Sequence, residues 1–279
     1  MPGIAAPAAR LHAAVLGHDL WWGRWLWRHL RLPGRLALPW RRLSGLHDRL
    51  SQRQPRLRWH GPASDLGRGG TVYVCPGRYV GTYNPGSGSI IGAGDGDDPA
   101  TSTILDANRN GRVMRIESGR TVSLHGLRLT GGFDDSVTAS GGGVMNDGGL
   151  TMTDCTITGN ETPIGTGGGL ITYGPLTLTR CQVTENTAFY GGGIYAVSGT
   201  ITLVRSVVSQ NKSTNLGGGI AVYGGTLHVN DGSSVTDNTA ADGGGIYRAG
   251  GTVTLNDAQV TDNEPNNGRP VASVANCTN

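Results

Sequence analysis

The stretch GGGLITYGPLTLTRCQVTEN, at positions 167–186, contains two markers that recur along the chain. The first marker is a glycine triplet followed by an aliphatic residue, and it begins at Gly141, Gly167, Gly191, Gly217 and Gly243. The second is an aliphatic residue three positions before an asparagine, and it ends at Asn160, Asn186, Asn211, Asn238 and Asn263. The triplets follow one another at steps of 26, 24, 26 and 26 residues, and two markers at one period indicate a structural repeat.

Between the two markers, apolar and polar residues alternate, as Leu176, Thr177 and Leu178 do. Alternation at every second residue is typical of a strand that is buried on one face. A chain that forms three strands and returns after about 25 residues places equivalent residues in neighbouring coils, about 4.8 Å apart. Stacking joins the apolar faces of the coils into one core. The sequence therefore predicts an all-β fold, a single-stranded parallel β-helix of about eight coils that starts near Thr71.

This arrangement gives each column of equivalent residues a predicted role. The aliphatic residues after the triplets are expected inside, and the five asparagines are expected to form a ladder of hydrogen-bonded amides at a turn that tolerates left-handed backbone. Cys155 and Cys181 share a small-residue column with Ser206 and Ala258, which favours an unbonded, inward pair and leaves a disulfide as the alternative. A flexible glycine-rich linker is the competing interpretation of the 48 glycines, although a linker does not keep apolar columns in register.

The first sixty residues differ from the rest of the chain. They contain all six Trp, and eleven Arg against two Asp give them a net charge of +9, whereas residues 61–279 carry −6. We therefore predict an Arg/Trp-rich segment at 1–60, a β-helix at 61–270 and a tail at 271–279. The overall charge of +3 describes neither part, so it does not indicate nucleic-acid binding by the β-helix.

Three interpretations of residues 1–60 stay open. An Arg-rich, acid-poor segment is typical of a targeting peptide, and a Trp/Arg cluster suits a membrane surface. The third interpretation is a mis-called start, because a GC-rich gene read in the wrong frame yields Arg, Trp, Pro and Gly with hardly any Lys. We find no 18-residue apolar run and no recognisable signal peptide, so we predict no transmembrane segment.

The two markers, GGGV, GGGL or GGGI together with ITGN, VTEN or VTDN, resemble the repeat of chlamydial polymorphic outer membrane proteins, although Val or Ile replaces the Phe of that family's FxxN. More widely, residues 71–265 are similar to right-handed parallel β-helix repeat proteins of the pectin-lyase-like superfamily. The resemblance implies the right hand, which also follows the usual crossover preference. It implies a bacterial surface or secreted protein, and the families include adhesins as well as polysaccharide-active enzymes.

Candidate sites for chemistry are few. Asp134 and Asp135, with His125 one strand earlier, are the best acid–base candidates, but a solvated turn is the preferred interpretation of that loop, and we assign no catalytic residue. The run GAGDGDD contains Asp95, Asp97 and Asp98. These carboxylates could bind Ca²⁺, although a Gly/Asp turn is favoured, so we predict no cofactor and no metal, with calcium as the alternative.

Four tyrosines form the predicted binding face. Counted from the glycine triplets, Tyr195 and Tyr247 share one position and Tyr173 and Tyr223 share another, two residues further on. Both positions alternate with inward residues, so the rings are expected outside, where they suit sugar rings or a protein partner. The simpler alternative is that Tyr merely suits an exposed strand.

The function expected from these observations is a non-enzymatic extracellular or cell-surface module, adhesin-like or structural, that binds carbohydrate or a host or cell-surface protein. The alternative is a polysaccharide lyase or glycoside hydrolase acting on an acidic polysaccharide. An enzyme should gather three carboxylates, or carboxylates with Arg, on one outer face, and the sequence shows no such cluster in register. We expect a monomer or a part of a longer chain, with no nucleic-acid partner.

Overall fold

The computed structural model describes residues 66–67, 69–136, 138 and 140–269, all of which belong to the compact unit Leu57–Asn279. The predictions for 1–60 and for the tail 271–279 fall outside the described residues. Within them the regular structure is 26 strands, and Leu66 alone has a helical assignment. None of the described residues forms a helix that is long and apolar enough to cross a membrane.

Every strand belongs to one of four parallel sheets. Sheet A contains β1 (Gly70–Tyr73), β3 (Gly88–Ile91), β6 (Thr121–His125), β9 (Gly149–Thr153), β13 (Leu176–Thr179), β17 (Thr200–Val204), β21 (Thr226–Asn230) and β24 (Thr252–Asn256). Sheet B contains β2 (Gly77–Val80), β4 (Thr103–Asp106), β7 (Leu127–Thr130), β10 (Thr156–Thr158), β14 (Gln182–Thr184), β18 (Val207–Ser209), β22 (Ser234–Thr236) and β25 (Gln259–Thr261).

Sheet C contains β5 (Met114–Ile116), β8 (Val144–Asn146), β12 (Leu170–Thr172), β16 (Ile194–Ala196), β20 (Ile220–Val222), β23 (Ile246–Arg248) and β26 (Gly268–Arg269). The small sheet D contains β11 (Glu161–Thr166), β15 (Thr187–Tyr190) and β19 (Lys212–Leu216). The first winding adds one strand to sheets A and B and reaches sheet C only through an isolated bridge from Tyr83 to Met114. Each later winding adds one strand to sheets A, B and C in turn, so the eight strands of sheet A are separated by seven complete turns. This is the predicted parallel β-helix.

The core is built from columns of identical character. Leu170 pairs with Val144 on one side and with Ile194 on the other, and Ile220 and Ile246 continue the same row. All five side chains are fully buried. Since one coil cannot cover its own apolar face, this stacking provides the hydrophobic stabilisation and excludes the linker interpretation of the glycines.

The asparagine column forms a continuous ladder of amides. The Nδ2 of Asn186 donates to the Oδ1 of Asn211 over 3.0 Å, and the same Oδ1 accepts the backbone N–H of Asn186 over 3.0 Å. The pattern repeats from Asn160 to Asn263, where Asn267 supplies the last acceptor. One expectation was wrong in detail, because the left-handed residue is the one before each asparagine, with φ between 56° and 64°, and not the asparagine itself.

The glycine triplets allow neighbouring coils to approach closely. In each triplet the first glycine has a positive φ of 61° to 68°. The second has no room for a side chain, since a Cβ on Gly218 would lie 2.5 Å from the carbonyl oxygens of Gly244 and Thr239. Both properties exclude a side chain at these corners.

The cysteine column lies inside the helix, as expected. Cys155 and Cys181 are buried and unbonded, and we call them the buried cysteine pair. In the next coils Ser206 and Ser233 continue the column, where the Ser206 Oγ accepts the backbone N–H of Cys181 over 3.0 Å. This part of the column therefore takes both thiols and hydroxyls.

Candidate functional site

The outer surface of sheet C carries the predicted tyrosines. The middle residue of each three-residue strand points away from the core, and in register this row includes Ile171, Tyr195, Ala221 and Tyr247. The turn after each strand adds a parallel column that includes Asp147, Tyr173, Val197, Tyr223 and Ala249. Two columns of side chains therefore run side by side along the axis of the helix.

Sheet D forms a wall beside these columns. Its strands β15 and β19 end at Tyr190 and Leu216, which are paired with each other immediately before the glycine triplets. The wall and the two columns enclose a partly open cavity of about 300 Å³, which we call the tyrosine groove. It is lined by Tyr190, Tyr195, Leu216, Ala221, Val222, Tyr223, Tyr247 and Ala249.

The rings of the groove are held in a defined arrangement. Tyr195 and Tyr223 lie nearly parallel, with their ring centroids 6.4 Å apart and their planes at 21°. Tyr223 is 63% exposed, whereas burial, followed by the neighbouring Tyr223, raises the pKa of Tyr195. Among the residues that the structure describes, no charged side chain lines the groove. The surface therefore offers aromatic faces and phenol hydroxyls to a ligand.

The structure brings together three of the four predicted tyrosines. Tyr173 shares the column of Tyr223 but lies two coils away, about 10 Å along the axis, and does not line the groove. The sequence analysis missed Tyr190 and Leu216. Their signal was available, since each directly precedes a glycine triplet. Their position beside the tyrosines of sheet C is a tertiary feature.

A second group, the charged cluster, lies on the same side of the helix towards the N-terminal coils. Arg115 contacts the Asp147 carboxylate through Nε (3.2 Å) and Nη2 (3.0 Å), and Arg112 lies 3.9 Å from the Asp134 carboxylate. Burial lowers the pKa of Arg112, and Asp134 partly opposes this. The sequence showed no cluster of carboxylates with Arg in register, and this group was not visible there because Arg112 and Asp134 come from irregular segments outside the repeat.

The acid–base candidates do not form one site. His125 Nδ1 lies 3.6 Å from Asp154, whose carboxylate also holds Arg180 through two hydrogen bonds of 2.6 and 2.8 Å. Asp134 instead caps the backbone of Ser136, and Asp135 is exposed. Strand β7 separates His125 from the aspartates along the chain, and the two groups have different partners.

Two of the three aspartates that could bind calcium make hydrogen bonds within the fold. Asp95 accepts a hydrogen bond from Thr156 Oγ1 over 2.8 Å, and Asp98 accepts the backbone N–H of Ala100 over 2.8 Å. In the part of the chain that the structure describes, no three His, Cys, Asp or Glu side chains converge to hold a metal ion. Calcium binding stays the untested alternative to the prediction that the chain has no cofactor.

The coil geometry agrees with comparison to known proteins. Residues 102–264 match the model of a family described as a right handed beta helix region. The chain belongs to this family. The match covers more than half of the 279 residues and includes all five glycine triplets. No curated protein and no solved structure matches the chain. Membership of the right-handed β-helix family establishes the fold, while the narrower resemblance to the chlamydial repeats stays a hypothesis.

Proposed function

We propose that this right-handed β-helix is a non-enzymatic extracellular or cell-surface module that binds a neutral oligosaccharide in the tyrosine groove. The observation that carries the proposal is the convergence of Tyr190, Tyr195, Tyr223 and Tyr247 around one uncharged cavity. The faces of aromatic rings pack against the C–H surfaces of sugars, and phenol hydroxyls exchange hydrogen bonds with sugar hydroxyls.

The size of the groove favours a small ligand over a protein. A cavity of about 300 Å³ lies at the lower end of the range for small-molecule sites. A stable protein partner would instead need about 800 Å² of contact on each side. Of the two partners predicted for the tyrosines, a protein is therefore less well supported than a carbohydrate.

The direction of the groove favours a chain of sugars. Tyr195 and Tyr247 occupy the same position two coils apart, which separates them by about 10 Å along the axis. A single ring cannot contact both residues, so an oligosaccharide lying along the helix axis is the ligand that uses the whole site. Since the described lining residues include no cation, an acidic sugar gains no ion pair with them.

The test uses the Tyr195→Ser and Tyr247→Ser variants on a glycan array, followed by calorimetric titration of each neutral glycan that the unaltered chain retains. Each lost ring should weaken binding by about 0.5–1.5 kcal/mol, roughly 2- to 12-fold. Tyr73→Ser is the matched control, because Tyr73 is 53% exposed on sheet A, away from the groove. Binding that survives the double variant, or that the control weakens equally, would refute the assignment of the site.

The charged cluster favours a second candidate, a polysaccharide lyase or glycosidase, because it places the Asp134 and Asp147 carboxylates beside Arg112 and Arg115. Both carboxylates already pair with an arginine, which suits a structural or binding role better than proton transfer. Incubation with acidic polysaccharides decides between them. Cleavage that is lost in both Asp134→Asn and Asp147→Asn would replace the non-enzymatic proposal.

A further inference from the structure

The tyrosines of sheet C follow a regular pattern that includes Tyr173, the predicted binding residue outside the tyrosine groove. The middle residues of β12, β16, β20 and β23 form one outer column, which we call the strand column: Ile171, Tyr195, Ala221 and Tyr247. The turns after these strands form a second one, the turn column: Tyr173, Val197, Tyr223 and Ala249. Each of the four windings therefore pairs one tyrosine with one aliphatic residue, and the tyrosine changes column at every winding. We call these four pairs the tyrosine strip.

The pattern of the tyrosine strip repeats every two windings. Neighbouring windings lie about 4.8 Å apart, so tyrosines of one column recur about 10 Å apart, and the strip from Tyr173 to Tyr247 is about 14 Å long. The two columns run about 7 Å apart, because their members are two residues apart along the chain. Across one step, the rings of Tyr195 and Tyr223 lie nearly parallel with their centroids 6.4 Å apart. Backbone pairing between the four strands fixes the repeat.

Tyr173 extends the strip beyond the tyrosine groove. Its side chain is 41% exposed, whereas Ile171 in the same winding is buried, so the tyrosine is the part of this winding that faces solvent. Tyr195 lies between Tyr173 and Tyr223 along the strip. Burial, then Tyr223, then Tyr173, and finally Tyr190 raise the pKa of Tyr195. The side chain of Tyr173 is therefore near enough to Tyr195 for one extended ligand to contact both.

Arginine–carboxylate pairs border the strip at both ends. In the strand column Tyr247 pairs with Arg269, whose Nε donates to Asp242 over 3.1 Å. At the other end, Asp147 precedes the strip in the turn column and accepts two hydrogen bonds from Arg115. None of the eight residues between these pairs is charged. The strip is therefore a neutral surface, four windings long, that ends where ion pairs begin.

We propose that the tyrosine strip binds a neutral glycan with equatorial β-(1→4) linkages, with one sugar ring on each winding. In such a glycan the two linkage bonds leave each ring at opposite corners, so the chain is a straight ribbon. Each ring is rotated by half a turn relative to the ring before it, and its hydroxyl substituents therefore alternate between the two edges of the ribbon. They repeat every second ring, as the tyrosines repeat every second winding, and the length of one ring is close to the rise of one winding.

The linkage decides whether a glycan can follow the strip. On a straight ribbon every ring can reach a tyrosine, through its C–H surface or through hydrogen bonds with the phenol hydroxyl. An α-(1→4)-linked chain curves, so its successive rings leave a straight row of side chains. The assignment rests on the oligosaccharide binding proposed above, and it specifies the linkage, the length of four rings and the contribution of Tyr173.

Calorimetric titration of the full chain with defined oligosaccharides tests the linkage and the length. The probes are β-(1→4)-linked oligomers of glucose, N-acetylglucosamine and mannose with two to five rings, and maltotetraose as the α-(1→4)-linked comparison. At least one β-linked series should bind, with an affinity that rises up to four rings and then levels off. Maltotetraose should bind about 5-fold or more weakly than the best tetramer, because it loses at least two ring contacts.

The Tyr173→Ser variant tests the register on the strip. It should weaken binding of the four-ring oligomer about 2- to 12-fold and leave binding of the three-ring oligomer unchanged, because three rings are satisfied by Tyr195, Tyr223 and Tyr247. The side chain of Tyr173 is exposed, and the hydrogen bond from Ser198 Oγ ends on its backbone carbonyl, so the substitution leaves that contact in place. Tyr73→Ser is again the matched control and should change neither affinity.

The possible failures separate this inference from the proposed function. Binding of other neutral glycans in the groove without any of the three β-linked series would overturn the linkage and leave the groove as a sugar site. Equal affinity for maltotetraose, an affinity that levels off at two rings, or an unchanged tetramer affinity in Tyr173→Ser would also overturn the inference alone. Binding of an oligoproline peptide in place of every glycan, or no ligand at all, would overturn both proposals.

Discussion

Replacement of Asn211 by Ala should destabilise the β-helix severely, although the residue contacts no proposed ligand site. Asn211 is 1% exposed, and its side chain makes hydrogen bonds in both directions along the ladder. Its Oδ1 accepts from the backbone N–H and the Nδ2 of Asn186, each over 3.0 Å. Its Nδ2 donates to the Val183 carbonyl over 2.8 Å and to the Asn238 Oδ1 over 3.0 Å.

The size of the expected destabilisation follows from the hydrogen-bonding groups that Asn211→Ala leaves without partners. The backbone N–H of Asn186 loses its acceptor in a fully buried position, which costs about 1–3 kcal/mol, and each of the other three bonds contributes about 1 kcal/mol. The free energy of unfolding should therefore fall by roughly 4–6 kcal/mol, a large part of the roughly 5–15 kcal/mol that is typical of a domain. Asn211→Asp should also destabilise, because a carboxylate cannot donate to Val183 and faces the Asn238 oxygen.

The measurement is urea unfolding followed by circular dichroism and extrapolated to water. Lys212→Ala is the control, since Lys212 is the next residue and is exposed, and its loss should change stability by no more than about 0.5 kcal/mol. An unchanged m value would show that the same cooperative unit unfolds in each variant. If Asn211→Ala costs less than about 1 kcal/mol under these conditions, the ladder is not a principal source of stability and our reasoning is wrong.

Three further outcomes are expected. Gly218→Ala should lower the free energy of chemical unfolding by about 1–3 kcal/mol, because its Cβ would collide with backbone oxygens at 2.5 Å. Gly94→Ala should be nearly neutral, because the nearest atoms to its Cβ would lie at 3.5 Å. Equal effects of the two substitutions would contradict the close approach of neighbouring coils at Gly218. A thiol reagent followed by peptide mapping should modify the exposed Cys75 in the native protein and the buried cysteine pair only after unfolding. Burial raises the pKa of Tyr83 from 10.0 to about 12, so the folded state favours the neutral phenol. The resulting contribution to stability should be complete below pH 10 and should be lost as the pH rises towards 12. In unfolding measurements at alkaline pH, Tyr83→Phe should abolish this part of the loss of stability.

The sequence alone determined the coil. Residues that recur at each winding predict the repeat period, the inward aliphatic row and the asparagine column. Stacking of equivalent positions is the arrangement that buries every apolar face at once. The core row from Val144 to Ile246 and the amide ladder from Asn160 to Asn263 therefore have in the structure the neighbours that the spacing predicts.

The surfaces depended on features outside the repeat. Tyr190 and Leu216 reach the tyrosine groove because sheet D projects from its coils, and the charged cluster forms because Arg112 and Asp134 lie in irregular segments with no column of their own. Outward residues of sheet A such as Thr177 can be identified in the sequence, but the pairing of strands decides that Thr151 and Thr202 lie beside it. The pattern of buried residues is a local property that can be read within each repeat. A binding site, in contrast, consists of side chains from several coils, and only the folded chain sets the distances between them.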